Sequence, residues 1–210
     1  MLMHLLKKDF LIVRKYVLAM AAIVAAVPLI LLWEAPELEE VVGFRFLTLF
    51  AVLMLMQYVC MKEYQYPRAS SLLCAAPYPR SQIVLSKYLF CIIVYTASCL
   101  VYWVETLLVP SLGPLPADAV ARNFLITAVV VAIYLPLEYR FGYEKTRILF
   151  ILVIMAAPML TAAAKKYGWM QSSAAVLPPM SGTGMVVLGA VVLWISELVS
   201  ESIFRKADLA

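Results

Sequence analysis

Six apolar runs divide this 210-residue chain, at 16–33, 41–60, 88–109, 121–137, 148–164 and 183–204. A helix that crosses a bilayer needs about 20 mostly apolar residues. Each run is continuous rather than alternating, which excludes the weak ten-residue period of a membrane β-barrel. Lipid offers no partner for an open backbone, so each run is expected to be helical. Composition agrees: 65% of residues are hydrophobic and 14% are charged, against about 25% charged for a soluble domain. The expectation is an all-α polytopic membrane protein of six transmembrane helices, a single domain over 1–210 with no separate soluble unit. The first run is too long for a signal-peptide core and five more follow it, so it is expected to remain as an anchor.

Basic residues orient the runs. With the N-terminus in the cytoplasm, thirteen Lys and Arg fall on the inner side: Lys7, Lys8, Arg14, Lys15, Lys62, Arg68, Arg80, Lys87, Arg140, Lys145, Arg147, Arg205 and Lys206. Four fall on the outer side: Arg45, Arg122, Lys165 and Lys166. That asymmetry predicts both termini inside. Residues 1–15 carry Lys7, Lys8, Arg14 and Lys15 on one helical sector and Leu6, Phe10 and Val13 on another. The pattern predicts an interfacial helix along the inner leaflet, with a plain extension of the first span as the alternative.

Motifs for catalysis are absent. The sequence has no GxSxG, HExxH or GxxxxGK[ST] and one histidine, His4, to which no role attaches. Asp9, Asp118 and Asp208 all lie outside the runs. Cys60, Cys74, Cys91 and Cys99 show no CxxC spacing and read as small hydrophobes. No metal or cofactor site is expected on this chain. Ionisable residues in or beside the runs are functional candidates by default. Glu105 is expected to face a polar cavity or to reach the outer interface. Glu138 closes the fourth run. Glu197 and Glu201 stand one turn apart, with Arg205 one turn on, and read as an i, i+4 chain at a membrane exit. Pro28, Pro136 and Pro158 invite kinks, and Gly184 and Gly189 permit close helix contact.

The longest inner segment, 61–87, reads MKEYQYPRASSLLCAAPYPRSQIVLSK. Prolines bracket a short run of helix formers with an apolar middle, and exposed apolar surface on a loop asks to be covered. The candidate partner-binding residues are Arg68, Ser70, Ser71, Leu72, Leu73, Ala76 and Arg80.

Three segments carry a family resemblance: LLKKDFLIVRKY before the first run, the 61–87 insert running into IVLSKYL, and LPLEYRFGYEKTRILF between the fourth and fifth runs, with RKADL near the end. Here the chain resembles the permease subunits of ABC-2 type (type V) ABC exporters, in particular small six-span permeases of bacterial peptide and toxin exporters of the phenol-soluble-modulin kind. The resemblance implies an N-terminal elbow helix and a coupling helix at 68–76. It implies a paired permease chain, same or related, and a separate nucleotide-binding ATPase that carries the ATP and Mg. It also implies a bacterial cell-membrane location and an amphipathic or hydrophobic cargo, with no nucleic acid. The insert reads SSLLCAAPYPR, richer in small residues than the polar-charged versions of that family. Two other readings remain: a membrane-bound immunity or signalling protein without ATP coupling, and an intramembrane enzyme resting on Glu105, Glu138 and Glu197.

Overall fold

A computed structural model of the chain describes residues 2–34, 44–66, 79–112, 115–166 and 181–206. Six helices account for nearly all of these: α1 (Leu2–Glu34), α2 (Phe44–Gln65), α3 (Arg80–Leu108), α4 (Ala117–Phe141), α5 (Tyr143–Lys166) and α6 (Gly182–Lys206), with a 3₁₀ turn at Pro110–Leu112. No strand occurs among the described residues. Each predicted run overlaps one of these helices; residues 41–43 lie outside the described residues, and Val109 caps the end of α3. Five of them (α1, α2, α3, α4 and α6) are long and apolar enough to cross a membrane, judged on the described residues. The fifth run lies in α5, which is not among those five.

α2 and α3 form the middle of the bundle. α3 packs on α1, α2, α4 and α6, and α2 packs on α1, α3, α4 and α5. The core is aliphatic and aromatic: Val52, Leu53, Met56, Val84, Phe90 and Leu135 are nearly or fully enclosed. α4 and α6 run together along most of their length. The stripe Met185, Gly189, Leu193, Ser196 and Ser200 on α6 is buried, at the three- and four-residue spacing of one helix face. Gly189 is what lets the two axes approach: a Cβ there would stand 2.9 Å from the Phe124 ring. Gly182, seven residues earlier, meets the Asp118 side chain in the same way. The sequence pointed to Gly189 correctly but not to Gly182.

The N-terminal stretch departs from expectation. α1 is one unbroken helix of 33 residues, about 50 Å long at 1.5 Å per residue, so no separate elbow precedes the span. Leu6, Val13, Met20 and Val24 are buried, with Phe10 and Val17 packed beside them. Their spacing of three and four residues makes one continuous seam that runs from the supposed interfacial segment into the span. The apolar sector of the expected interfacial helix is therefore held against the bundle. Lys7, Arg14 and Lys15 stay exposed, but Lys8 turns inward.

At the other corner, α4 ends at Phe141 and α5 begins at Tyr143. The single residue between them, Gly142, has φ +77° and ψ 169°, a region open in practice only to glycine.

Candidate functional site

The insert predicted to dock a partner leaves α2 after Gln65 and returns at Arg80. Arg68, Ser70, Ser71, Leu72, Leu73 and Ala76 lie outside the described residues, and Arg80 is the first residue of α3. At the root of this insert the structure gathers a charge cluster from four helices. Lys87 of α3 is 4% exposed. Its Nζ donates to Glu63 Oε2 of α2 at 2.5 Å, and Lys8 Nζ of α1 donates to Glu63 Oε1 at 2.9 Å. One carboxylate thus bridges two ammonium groups, one from each flanking helix.

Further groups close around this bridge. Asp9, 1% exposed, has Oδ1 3.2 Å from Lys8 Nζ, though neither of its oxygens has a hydrogen-bond partner among the described residues. The Cys60 thiol stands 3.9 Å from Lys87 Nζ, and the Glu138 carboxylate of α4 lies within electrostatic reach of the same ammonium. The Lys87 ammonium also lies 5.7 Å from the centre of the Tyr139 ring, a cation–π distance. The cluster holds three carboxylates against two ammonium groups. Lysine and glutamate are almost never enclosed unless paired, so this arrangement fixes the mutual positions of α1, α2, α3 and α4 where the insert emerges.

Neutral hydrogen bonds tie the same helices at other levels. Asn123 of α4 donates to Thr48 of α2 at 2.5 Å, and the Tyr134 hydroxyl of α4 donates to Gln57 of α2. The Tyr88 hydroxyl of α3 sits 2.7 Å from Ser196 and 2.8 Å from Ser200 of α6. Such interhelical bonds contribute about 0.6 kcal/mol each on average in membrane bundles. They set the register of the packed helices.

Glu105, 7% exposed on α3, has neither carboxylate oxygen partnered among the described residues. It lies eighteen residues beyond Lys87 on the same helix, about 27 Å along the axis. Glu138 belongs to the Lys87 end. Glu105 and Glu138 therefore share no site, so the glutamates of the intramembrane-enzyme reading are not gathered in one place. Glu197 is half-buried and carries no ion pair among the described residues, whereas Arg205 pairs with Glu201 at 2.5 Å. The expected i, i+4 chain thus exists in its last link.

Sequence reasoning missed Glu63 and the inward turn of Lys8 and Lys87, having placed Lys8 on the basic face of an interfacial helix and counted Lys87 only among the inner-side basic residues. The available signal was positional: Glu63 and Lys87 stand just inside the two helices that bracket the insert, with opposite sign.

No curated protein and no solved structure matches the chain. A family model described as "ABC-2 family transporter protein" matches residues 4–205, a range that takes in all six helices, the insert and the charge cluster at its root. With its several membrane-length apolar helices, the chain is thus a multi-pass membrane protein that belongs to the ABC-2 transporter family.

Proposed function

We propose that this chain is the permease subunit of an ATP-driven exporter in a bacterial cell membrane. Two permease chains, identical or related, form the translocation path. Each docks a separate ATPase, which binds ATP and Mg, through the 61–87 insert. N- and C-termini lie in the cytoplasm, in keeping with the thirteen-to-four distribution of basic residues. The cargo is an amphipathic peptide or another hydrophobic molecule.

The observation that carries this reading is the Lys8–Glu63–Lys87 bridge at the root of the insert. A displacement applied to the insert reaches α1, α2 and α3 together, and α4 through the Glu138 carboxylate and Tyr139 ring beside Lys87, instead of bending one loop. A lever of this kind suits a subunit whose energy arrives from another chain. The cleft enclosed by α1, α2 and α3 measures about 70 Å³, too small for a peptide.

Expression of the chain with and without candidate ATPases tests the proposal. The purified chain alone is expected to hydrolyse no ATP. An affinity-tagged chain from native membranes is expected to bring down an ATPase bearing a Walker motif, whose hydrolysis rises with cargo. A tagged chain that returns without any ATPase, at full yield and in mild detergent, removes the transport reading in favour of an ATP-independent binding role.

A further inference from the structure

A crevice of about 250 Å³ lies between α2 and α5, walled by Met54, Tyr58, Met61, Tyr143 and Phe150 and bearing two polar side chains, Gln57 and Arg147. Gln57 is 7% exposed. Its amide is orientated by Tyr134, whose hydroxyl donates to Oε1. Nε2 is left with no hydrogen-bond partner among the described residues. A buried amide donor is costly to leave unmet, so a ligand acceptor is the natural complement.

Arg147, one turn into α5, is exposed and makes no ion pair among the described residues. Both polar groups that line the crevice therefore offer donors and one carries a positive charge. Tyr143 and Arg147 stand near the α4–α5 corner, on the side assigned to the cytoplasm by the basic residues. Gln57 lies deeper: Tyr64, which stacks on Tyr143, is two turns further along α2. Ile151 also lines the crevice and is half exposed, and Leu152, Met155 and Met159 continue an exposed apolar face along α5.

We propose that this crevice binds the head of an anionic phospholipid from the inner leaflet. The phosphodiester pairs with Arg147, an ester carbonyl accepts from Gln57 Nε2 one layer deeper, and the acyl chains lie along Ile151, Leu152, Met155 and Met159. Basic pockets between membrane helices on the cytoplasmic side recognise anionic headgroups through this combination of charge and apolar wall. The volume suits a phosphoglycerol head and excludes the tails, which the exposed α5 face receives. The proposal rests on the orientation given under the proposed function, with the α4–α5 corner at the inner leaflet, and stands or falls apart from ATP coupling.

The test uses the full chain purified in detergent and titrated with dioleoyl-phosphatidylglycerol or dioleoyl-phosphatidylcholine, with bound lipid read by native mass spectrometry. The expected result is about fivefold or greater preference for phosphatidylglycerol, the size of one favourable cation near an anionic lipid surface. Arg147→Gln is expected to abolish the preference and Arg147→Lys to keep part of it. Gln57→Glu, which retains an acceptor for Tyr134 but replaces the donor, is expected to weaken phosphatidylglycerol binding. Lys145→Gln, an exposed neighbour that does not line the crevice, is expected to change nothing. Equal binding of the two lipids, or a preference that survives Arg147→Gln, overturns the proposal. Displacement of phosphatidylglycerol by millimolar inorganic phosphate also overturns it, by making this a simple anion site.

Discussion

Replacing Lys87 with methionine is expected to lower the thermal midpoint of the purified chain by roughly 6–12 °C. The substitution keeps the apolar stem and removes one of the two cations facing Asp9, Glu63 and Glu138. Breaking an enclosed ion pair from one side typically costs about 3–5 kcal/mol. The Glu63 side chain is 25% exposed, and water softens the loss, so about 3 kcal/mol is the appropriate figure. At this chain length about 2–4 °C per kcal/mol gives the stated range.

The double variant Lys87→Met with Glu63→Leu removes the pair as a unit and is expected to recover most of the stability. Replacing a whole enclosed pair by apolar groups is often near neutral. Recovery of stability should not bring recovery of function. With the bridge gone α1 is no longer tied to the root of the insert, so ATP hydrolysis in the assembled transporter is expected to lose its dependence on cargo. Differential scanning fluorimetry and a coupled ATPase assay separate the two effects. A double variant less stable than the single, or one with full cargo-stimulated turnover, contradicts the role assigned to the bridge.

The second large effect concerns the insert itself. Leu72→Asp with Leu73→Asp is expected to abolish retention of the ATPase on the tagged chain while leaving membrane insertion and yield unchanged. Two adjacent leucines seated in a partner's groove bury about 1.5–3 kcal/mol of apolar stabilisation each, and aspartates in their place add the cost of enclosing unpaired charge. A loss of at least a thousandfold in affinity follows. Arg68→Ala, which removes a single cation near the edge of the insert, should cost far less. Retention of the ATPase by the double aspartate variant would move the docking surface elsewhere on the chain.

The helices were legible because lipid leaves the backbone little choice. The run at 121–137 is short of a full span, yet α4 extends to Ala117–Phe141, since Pro116 and Gly142 rather than apolarity set its ends. The continuity of α1 was not legible. Lys7, Lys8, Arg14 and Lys15 mark residues 1–15 as distinct in composition, but the Leu6–Phe10–Val13–Val17 seam that holds the helix to its neighbours reads equally well as a lipid-facing stripe. Only knowledge of what packs opposite separates those two environments.

The charge cluster was hidden for a related reason. Lys8, Glu63, Lys87 and Glu138 are scattered over 130 residues of sequence, and each in isolation resembles a solvated helix-end charge. Their convergence depends on helices packing side by side, which no local pattern encodes. Gln57 and Arg147 carry the same lesson, since a lone amide within an apolar run gives no hint of the arginine that shares its crevice. Glu105 was singled out from sequence as facing a polar cavity or reaching the outer interface; the structure encloses it with no hydrogen-bond partner for either oxygen among the described residues.

The measurement that reaches the centre of the account uses a variant in which Cys74 is the only cysteine, the other three being replaced by alanine. Cells expressing this chain with its ATPase are treated with a membrane-impermeant maleimide. Cys74 is expected to stay unlabelled in intact cells, to be labelled after permeabilisation when the ATPase is absent, and to be shielded when it is present. Labelling of Cys74 from outside intact cells would place the insert on the wrong side of the membrane for any ATP-driven engine to grip it.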